Sequence, residues 1–285
     1  MKTTRIALFF FLILIFGACA QEIKSDTVVE EQFPLNEWVS LTKGLSFMER
    51  MAPKKSIIGD SKISIVRIDP NLFDFHLLTA TEHGTPLTAK EWADTFQMSL
   101  TFNASMYDLG NPLISRGFLK NFGHHNNQEV HPGYNAMIAM NPLDTNEVNC
   151  SVLDLKCEPW DSVKSNYHCY AQGMRMVDCN RQAMGWNKRK QSCSMLVAAI
   201  DDQNRFYLIF SRSPYTHNQM ISFLLSFPFH LSNAIYLEGG PETSLYLNVN
   251  GTEIKRIGSY VSQTFPKDDN VEFWKLPNVI GICPK

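Results

Sequence analysis

The chain has 285 residues, 44% of them hydrophobic and 12% aromatic, with a formal net charge of −2, which is enough apolar material for one sizeable core. Its cations form no basic stripe, so a nucleic-acid partner is not expected. No internal repeat or low-complexity stretch divides it.

In chain order, Lys2 and Arg5 precede an apolar run over residues 6–16 that is too short to span a bilayer and ends in small residues. This is the pattern of a signal peptide over residues 1–18. Two cleavage readings compete. Ala18-Cys19-Ala20 fits a small-residue processing site, while Phe16-Gly17-Ala18-Cys19 approximates a lipobox that leaves a lipidated Cys19 at the new N-terminus. The second is favoured, because a cysteine there is otherwise unusual in an exported chain. Losing Lys2 and Arg5 brings the net charge near −4. Residues 19–35 read as a polar tether and residues 36–285 as one domain, placed in the periplasm or cell envelope, with membrane contact only through a lipid on Cys19.

The domain opens with apolar anchors Trp38, Leu41, Leu45 and Phe47 around Gly44. Residues 63–68 and 73–78 alternate and flank Asp69-Pro70-Asn71, a hairpin signal. Thr88 and Glu91 form a capping box ahead of a helix carrying Trp92 and Phe96 one turn apart. Strand, strand, helix predicts an α+β domain with a mixed, largely antiparallel sheet covered by a few helices. A strand over residues 100–107 contains Asn103, whose amide offers donors and an acceptor to hydroxyls or a phosphate oxygen, or caps the following turn. Residues 108–127, with Gly110, Gly117 and Gly123, read as a loop over a site. Residues 135–140 are again a strand.

Apart from Cys19, six cysteines remain: Cys150, Cys157, Cys169, Cys179, Cys193 and Cys283. In an exported chain they favour three disulfides over a zinc site, stapling a polar insertion between 150 and 193. Adjacent His124 and His125, with His131 beyond, lack acidic ligands at metal spacing. No cofactor is expected, and assistance by a divalent cation stays open. Residues 194–200 and 206–212 form the clearest hairpin, around Asp201 to Asn204. A helix with Met220, Phe223, Leu224 and Phe227 on one face follows and ends before Pro228.

Arg175 and Arg212 sit within or at the end of apolar sequence. Such a guanidinium either forks onto a phosphate or is paired for structure. The chain then reaches Glu238-Gly239-Gly240-Pro241-Glu242-Thr243-Ser244, where a short apolar strand runs into a turn flanked by two carboxylates. Gly239 and Gly240 let that backbone turn and approach a ligand closely.

This segment resembles the glycine-rich signature of the phosphodiester glycosidase family, in which Asp-Gly-Gly-Gly precedes Ser or Thr. Here the carboxylate is one methylene longer, and Pro241 removes an amide where the third glycine stands. Asn103 to Tyr107 is similar to a second family element, and Arg175 and Arg212 fall at arginine or polar positions of the family. The resemblance implies an exported glycosidase that hydrolyses the glycosidic bond of a sugar-1-phosphodiester to sugar and phosphate monoester. A phosphate leaving group needs little proton donation, so charge stabilisation dominates. Glu238 is then nucleophile or base with Glu242 as alternative or helper. Arg175 and Arg212 bind phosphate, the Gly239-Gly240 backbone holds phosphate or ring oxygens, and Asn103 and Ser244 orient the sugar. The competing reading is a non-catalytic envelope protein holding a glycan or phosphodiester polymer in the same cleft.

Overall fold

The computed structural model describes residues 33–185 and 191–285. The leader and most of the tether expected from the sequence lie outside the described residues. The elements, in order, are β1 (Val39–Thr42), β2 (Leu45–Met51), β3 (Lys62–Ile68), β4 (Phe73–Thr79), α1 (Ala80–His83), α2 (Ala89–Phe96), β5 (Leu100–Asn103), β6 (Leu119–Asn121), β7 (His124–Asn127), β8 (Ala136–Pro142), β9 (Cys150–Asp154) and α3 (Trp160–Val163). They continue with β10 (Tyr167–Val177), β11 (Ser192–Asp201), β12 (Phe206–Thr216), α4 (His217–Ser226), β13 (Leu231–Gly239), β14 (Ser244–Val249), β15 (Thr252–Ile257) and β16 (Asn278–Pro284).

The fold is α+β, and its strand pairings are antiparallel. Where one sheet is expected, two are present. An 11-stranded sheet runs β1-β2-β3-β12-β11-β13-β10-β6-β7, with β8 on β10 and β9 on β8, and a 5-stranded sheet runs β15-β14-β5-β16-β4. The strand period of two decides what each face does. Val66, Leu208, Leu196 and Leu237 of the large sheet meet Phe75, Phe102 and Ile280 of the small one in a shared core. Each such buried side chain contributes roughly 1.5–3 kcal/mol relative to exposure. Ile65, Ile209, Val197 and Tyr236 point the other way, into a second core roofed by Met220, Phe223 and Leu224 of α4. On the outer face of the small sheet α2 buries Trp92 completely, with the indole N–H donating to Leu276 O at 2.9 Å. Both halves of the Thr88–Glu91 capping box form, and Thr216 with Gln219 caps α4 in the same way.

Three expectations are corrected. The segments 63–68 and 73–78 are not a hairpin: β3 lies between β2 and β12, whereas β4 pairs with β16 in the other sheet. Five of the seven residues of β3 are buried, on both of its faces, so the strand requires cover that β4 alone does not give. The region from 150 to 193 is no polar insertion, because β9 and β10 are buried strands of the large sheet, β10 in its interior and β9 paired on β8. Of the three expected disulfides, Cys157–Cys179 forms, joining the segments that follow β9 and β10, while Cys150, Cys169, Cys193 and Cys283 are free thiols. Cys150 and Cys169 both register against Met140 from opposite sides. Two strand spacings of ~4.8 Å therefore separate them, beyond disulfide reach.

Candidate active site

β13 is the strand that builds the site. Ile235 and Leu237 face the inter-sheet core, so the alternate residues Tyr236 and Glu238 face outward beneath the start of α4. At Gly239 the chain leaves the large sheet, makes a 3₁₀ turn over Gly240–Glu242 and enters β14 of the small sheet. The turn is thus a crossing between sheets. Both glycines are required there. A Cβ on Gly239 would strike the Tyr236 hydroxyl and lie 2.8 Å from Cys193 Sγ, and Gly240 has φ +78° with its Cβ position taken by Val261.

The turn is held from several sides. Thr243 Oγ1 donates to Glu238 O at 3.1 Å, Gly258 N donates to Thr243 O at 2.7 Å, and Ser244 N donates to the buried Asn103 Oδ1 at 3.0 Å. The predicted Asn103 and Ser244 are therefore brought together, behind the turn and not on the cleft. The Gly239 N–H donates to Glu238 Oε1 at 2.9 Å, so this amide serves the carboxylate and not a ligand.

Glu238 and Gly239 line a cleft of about 390 Å³ together with Met106, Arg116, His131, Tyr134, Met174, Cys193, His217, Tyr236 and Val261. Burial pushes the Glu238 carboxyl up to about 8, and the Glu242 charge adds to this; the Gly239 and Tyr107 amides and Arg116 pull the other way. Glu242 is also raised by burial, and it lies on the turn without lining the cleft. The Tyr107 hydroxyl is buried without a partner among the described residues, and burial followed by the Glu238 and Glu242 charges pushes it well up. Tyr236 bonds to the Cys193 thiol and meets the His217 ring edge-on at 4.6 Å. Burial drives that thiol up to about 12, which makes it a wall group and not a nucleophile.

Neither predicted arginine lines the cleft. On β10, Met174 faces the cleft, so the next residue, Arg175, points to the opposite face of the sheet, where its Nη1 donates to both carboxylate oxygens of buried Asp154 at 2.5 and 2.7 Å. Arg212 likewise shares the face of Phe210 and ties down the segment before β16, donating to Ile257 O at 2.9 Å and Asn270 O at 2.8 Å and pairing with Asp268. Of the two readings the sequence allowed for these residues, the structural one describes their contacts.

Among the described residues Arg116 is the guanidinium that lines the cleft, and sequence reasoning missed it. Its guanidinium has no ion pair or hydrogen bond among the described residues, while its charge depresses His131 after burial has done so and pulls down Glu238. Its backbone is not loose. Arg116 N donates to Met106 O at 2.9 Å; Ser115 N donates to Asn126 Oδ1 at 2.7 Å, and Asn127 Nδ2 donates to Ser115 O at 2.8 Å. An Arg between Ser115 and Gly117 in polar sequence looks like any solvated cation. Only these longer-range partners distinguish it.

His131 and Tyr134 form the remaining wall, their rings stacked with centroids 3.9 Å apart. His131 Nδ1 accepts from Gly133 N at 3.1 Å, which fixes a proton, when the ring is neutral, on Nε2. Among the described residues the gathered metal-type donors are Asp154, Cys157 and Cys179; the two sulfurs are joined to each other and Asp154 holds Arg175, so this group does not suit an ion.

Residues 96–283 match a family model described as phosphodiester glycosidase. Among solved structures, a hypothetical protein from Synechocystis is similar with a TM-score of 0.60 and 12% identity over 90% of this chain, which spans 64% of that protein. The catalytic domain of zebrafish N-acetylglucosamine-1-phosphodiester alpha-N-acetylglucosaminidase, auto-inhibited by its pro-peptide, is similar with a TM-score of 0.58 and 14% identity, over 87% of this chain and 86% of that one. No curated protein sequence matches. At such identities the two structures attest a common fold.

Proposed function

Because the chain belongs to the phosphodiester glycosidase family, we propose that it hydrolyses the glycosidic bond of a sugar-1-phosphodiester, releasing the sugar and a phosphate monoester. The observation that carries this reading is one cleft shared by the Glu238 carboxyl and the guanidinium of Arg116, which has no partner among the described residues. The bond that breaks is between the anomeric carbon and the phosphate oxygen. The electron pair leaves with the phosphate, and water supplies the hydroxyl of the sugar. Arg116 stabilises the departing phosphate, and its planar fork suits two phosphate oxygens at once. Glu238 acts in its ionised form, either as the nucleophile at the anomeric carbon or as the base that takes the proton of the attacking water. Glu242 helps by charge, and Asn103 with Ser244 holds the turn that aims Glu238.

The apolar leader over residues 1–18 and the Cys157–Cys179 disulfide both support action outside the cytoplasm, in the periplasm or envelope, with Cys19 as the lipid anchor. Glu238→Gln tests the assignment. The expected outcome is a loss of turnover of about 10²–10⁴-fold, with a non-hydrolysable phosphonate analogue still bound within a few-fold. Unchanged turnover would remove Glu238 from the mechanism. Turnover absent from the wild-type protein, with the analogue bound, would favour the glycan-holding reading.

A further inference from the structure

Gln172 lies on β10 behind the cleft, 1% exposed, and touches no ligand space. Its side-chain amide nevertheless contacts two loops that supply the cleft. Oε1 accepts from Phe118 N at 2.8 Å and from His131 N at 2.9 Å. Nε2 donates to His131 O at 3.0 Å and to Tyr134 O at 2.6 Å. All four hydrogen-bonding positions of the amide are thus used, and every partner is backbone. One side of this clamp is two residues from Arg116, and the other carries the stacked His131 and Tyr134 rings. Gly117 completes the fit, since a Cβ there would stand 2.8 Å from Gln172 Oε1.

An amide is suited to this. Two N–H groups must be accepted and two carbonyls must be given donors, at one buried point between the segment that leads into β6 and the loop that follows β7. A carboxylate would face both carbonyls with no proton, and a thioether would leave four buried backbone groups unmet.

Resting on the proposed reaction, we propose that Gln172 is the positioning residue that sets the distance between an anion subsite at Arg116 and a sugar-ring subsite on the His131–Tyr134 wall. A substrate whose sugar and phosphate are joined by one oxygen must meet both subsites at a fixed separation. The clamp holds that separation before the ligand arrives, so the ordering entropy is not charged to binding.

The test measures three ligands against the wild-type protein, Gln172→Met and Arg116→Met: inorganic phosphate, a neutral methyl glycoside, and the corresponding sugar-1-phosphate. Gln172→Met is expected to bind phosphate and the methyl glycoside within about threefold of wild type, while the linked sugar-1-phosphate weakens about tenfold or more, because the loss is in simultaneous engagement. Parallel loss of all three ligands, or no change in any, would overturn the inference. Gln172→Glu supplies a second measurement that keeps the test valid if Gln172→Met folds poorly. Protonation returns one donor, so its affinity for the sugar-1-phosphate, relative to wild type, is expected to recover as pH falls, and a flat ratio would contradict the clamp. Arg116→Met separates the two levels: phosphate binding that survives this change refutes the anion assignment itself, whatever Gln172 does.

Discussion

At the scale of single residues, the site turns on a carboxyl kept mostly protonated at neutral pH. Burial raises Glu238 from its ordinary 4.5 to about 8, and Glu242 adds repulsion. If the ionised form reacts, kcat/KM rises with pH through about 8 and levels off above it. The same shift acts on stability with the opposite tendency. Between 4.5 and 8 the folded chain holds a proton that the unfolded chain has released, so Glu238 costs the fold increasing stability as pH rises across that window. Glu238→Gln removes the charge and is therefore expected to raise Tm most above pH 8 and hardly at all below pH 4.5. Thermal unfolding at three pH values checks this; a variant that lowers Tm equally at every pH would contradict the buried-charge account. The carboxylate was legible in the sequence because an acid ending an apolar strand before two glycines has few uses. Arg116 was not, since its meaning depends on Asn126, Asn127 and Gln172 holding its backbone.

At the scale of elements, face alternation along β10 and β12 decides which cation serves the ligand. Arg175 and Arg212 sit in apolar sequence, which correctly signals a paired and partly covered guanidinium, but the period of two sends both to the face away from Glu238. Sequence alone shows that such a residue is buried and not which face of the sheet it buries, because β10, β11 and β12 are apolar on both sides. The contrast is measurable. Arg175→Met leaves the 1% exposed Asp154 side chain with a lost charge partner and is expected to cost about 3–5 kcal/mol of stability while phosphate affinity per folded molecule stays unchanged. Arg116→Met is expected to shift stability by less than ~0.5 kcal/mol, as an exposed loop residue should, and to abolish phosphate binding. Denaturant melts and phosphate titration of the two variants check the pair; loss of phosphate binding in Arg175→Met at full folding would reverse the assignment. The free thiols follow the same geometry. Six cysteines suggested three bridges, but strand spacing separates Cys150 from Cys169 and packing commits Cys193 to Tyr236.

At the scale of the whole molecule, the α+β class and most strands could be read from alternation, turn residues and capping boxes, all of which act over a few residues. The division into two sheets could not, because it depends on where the chain crosses between them. It does so at residues 69–72, which look like a hairpin turn, again in the long segment between β5 and β6, and at 239–243, which look like another turn. The last crossing is where the site forms, since a chain that leaves one sheet for another must turn sharply, and that turn carries Glu238 to the outer face under α4. The central claim is that this arrangement cleaves the carbon–oxygen bond of a sugar-1-phosphodiester. The most direct measurement is hydrolysis in ¹⁸O-water by the mature protein, with both products weighed by mass spectrometry. The account predicts the label in the sugar; label in the phosphate monoester would mean attack at phosphorus and would contradict it.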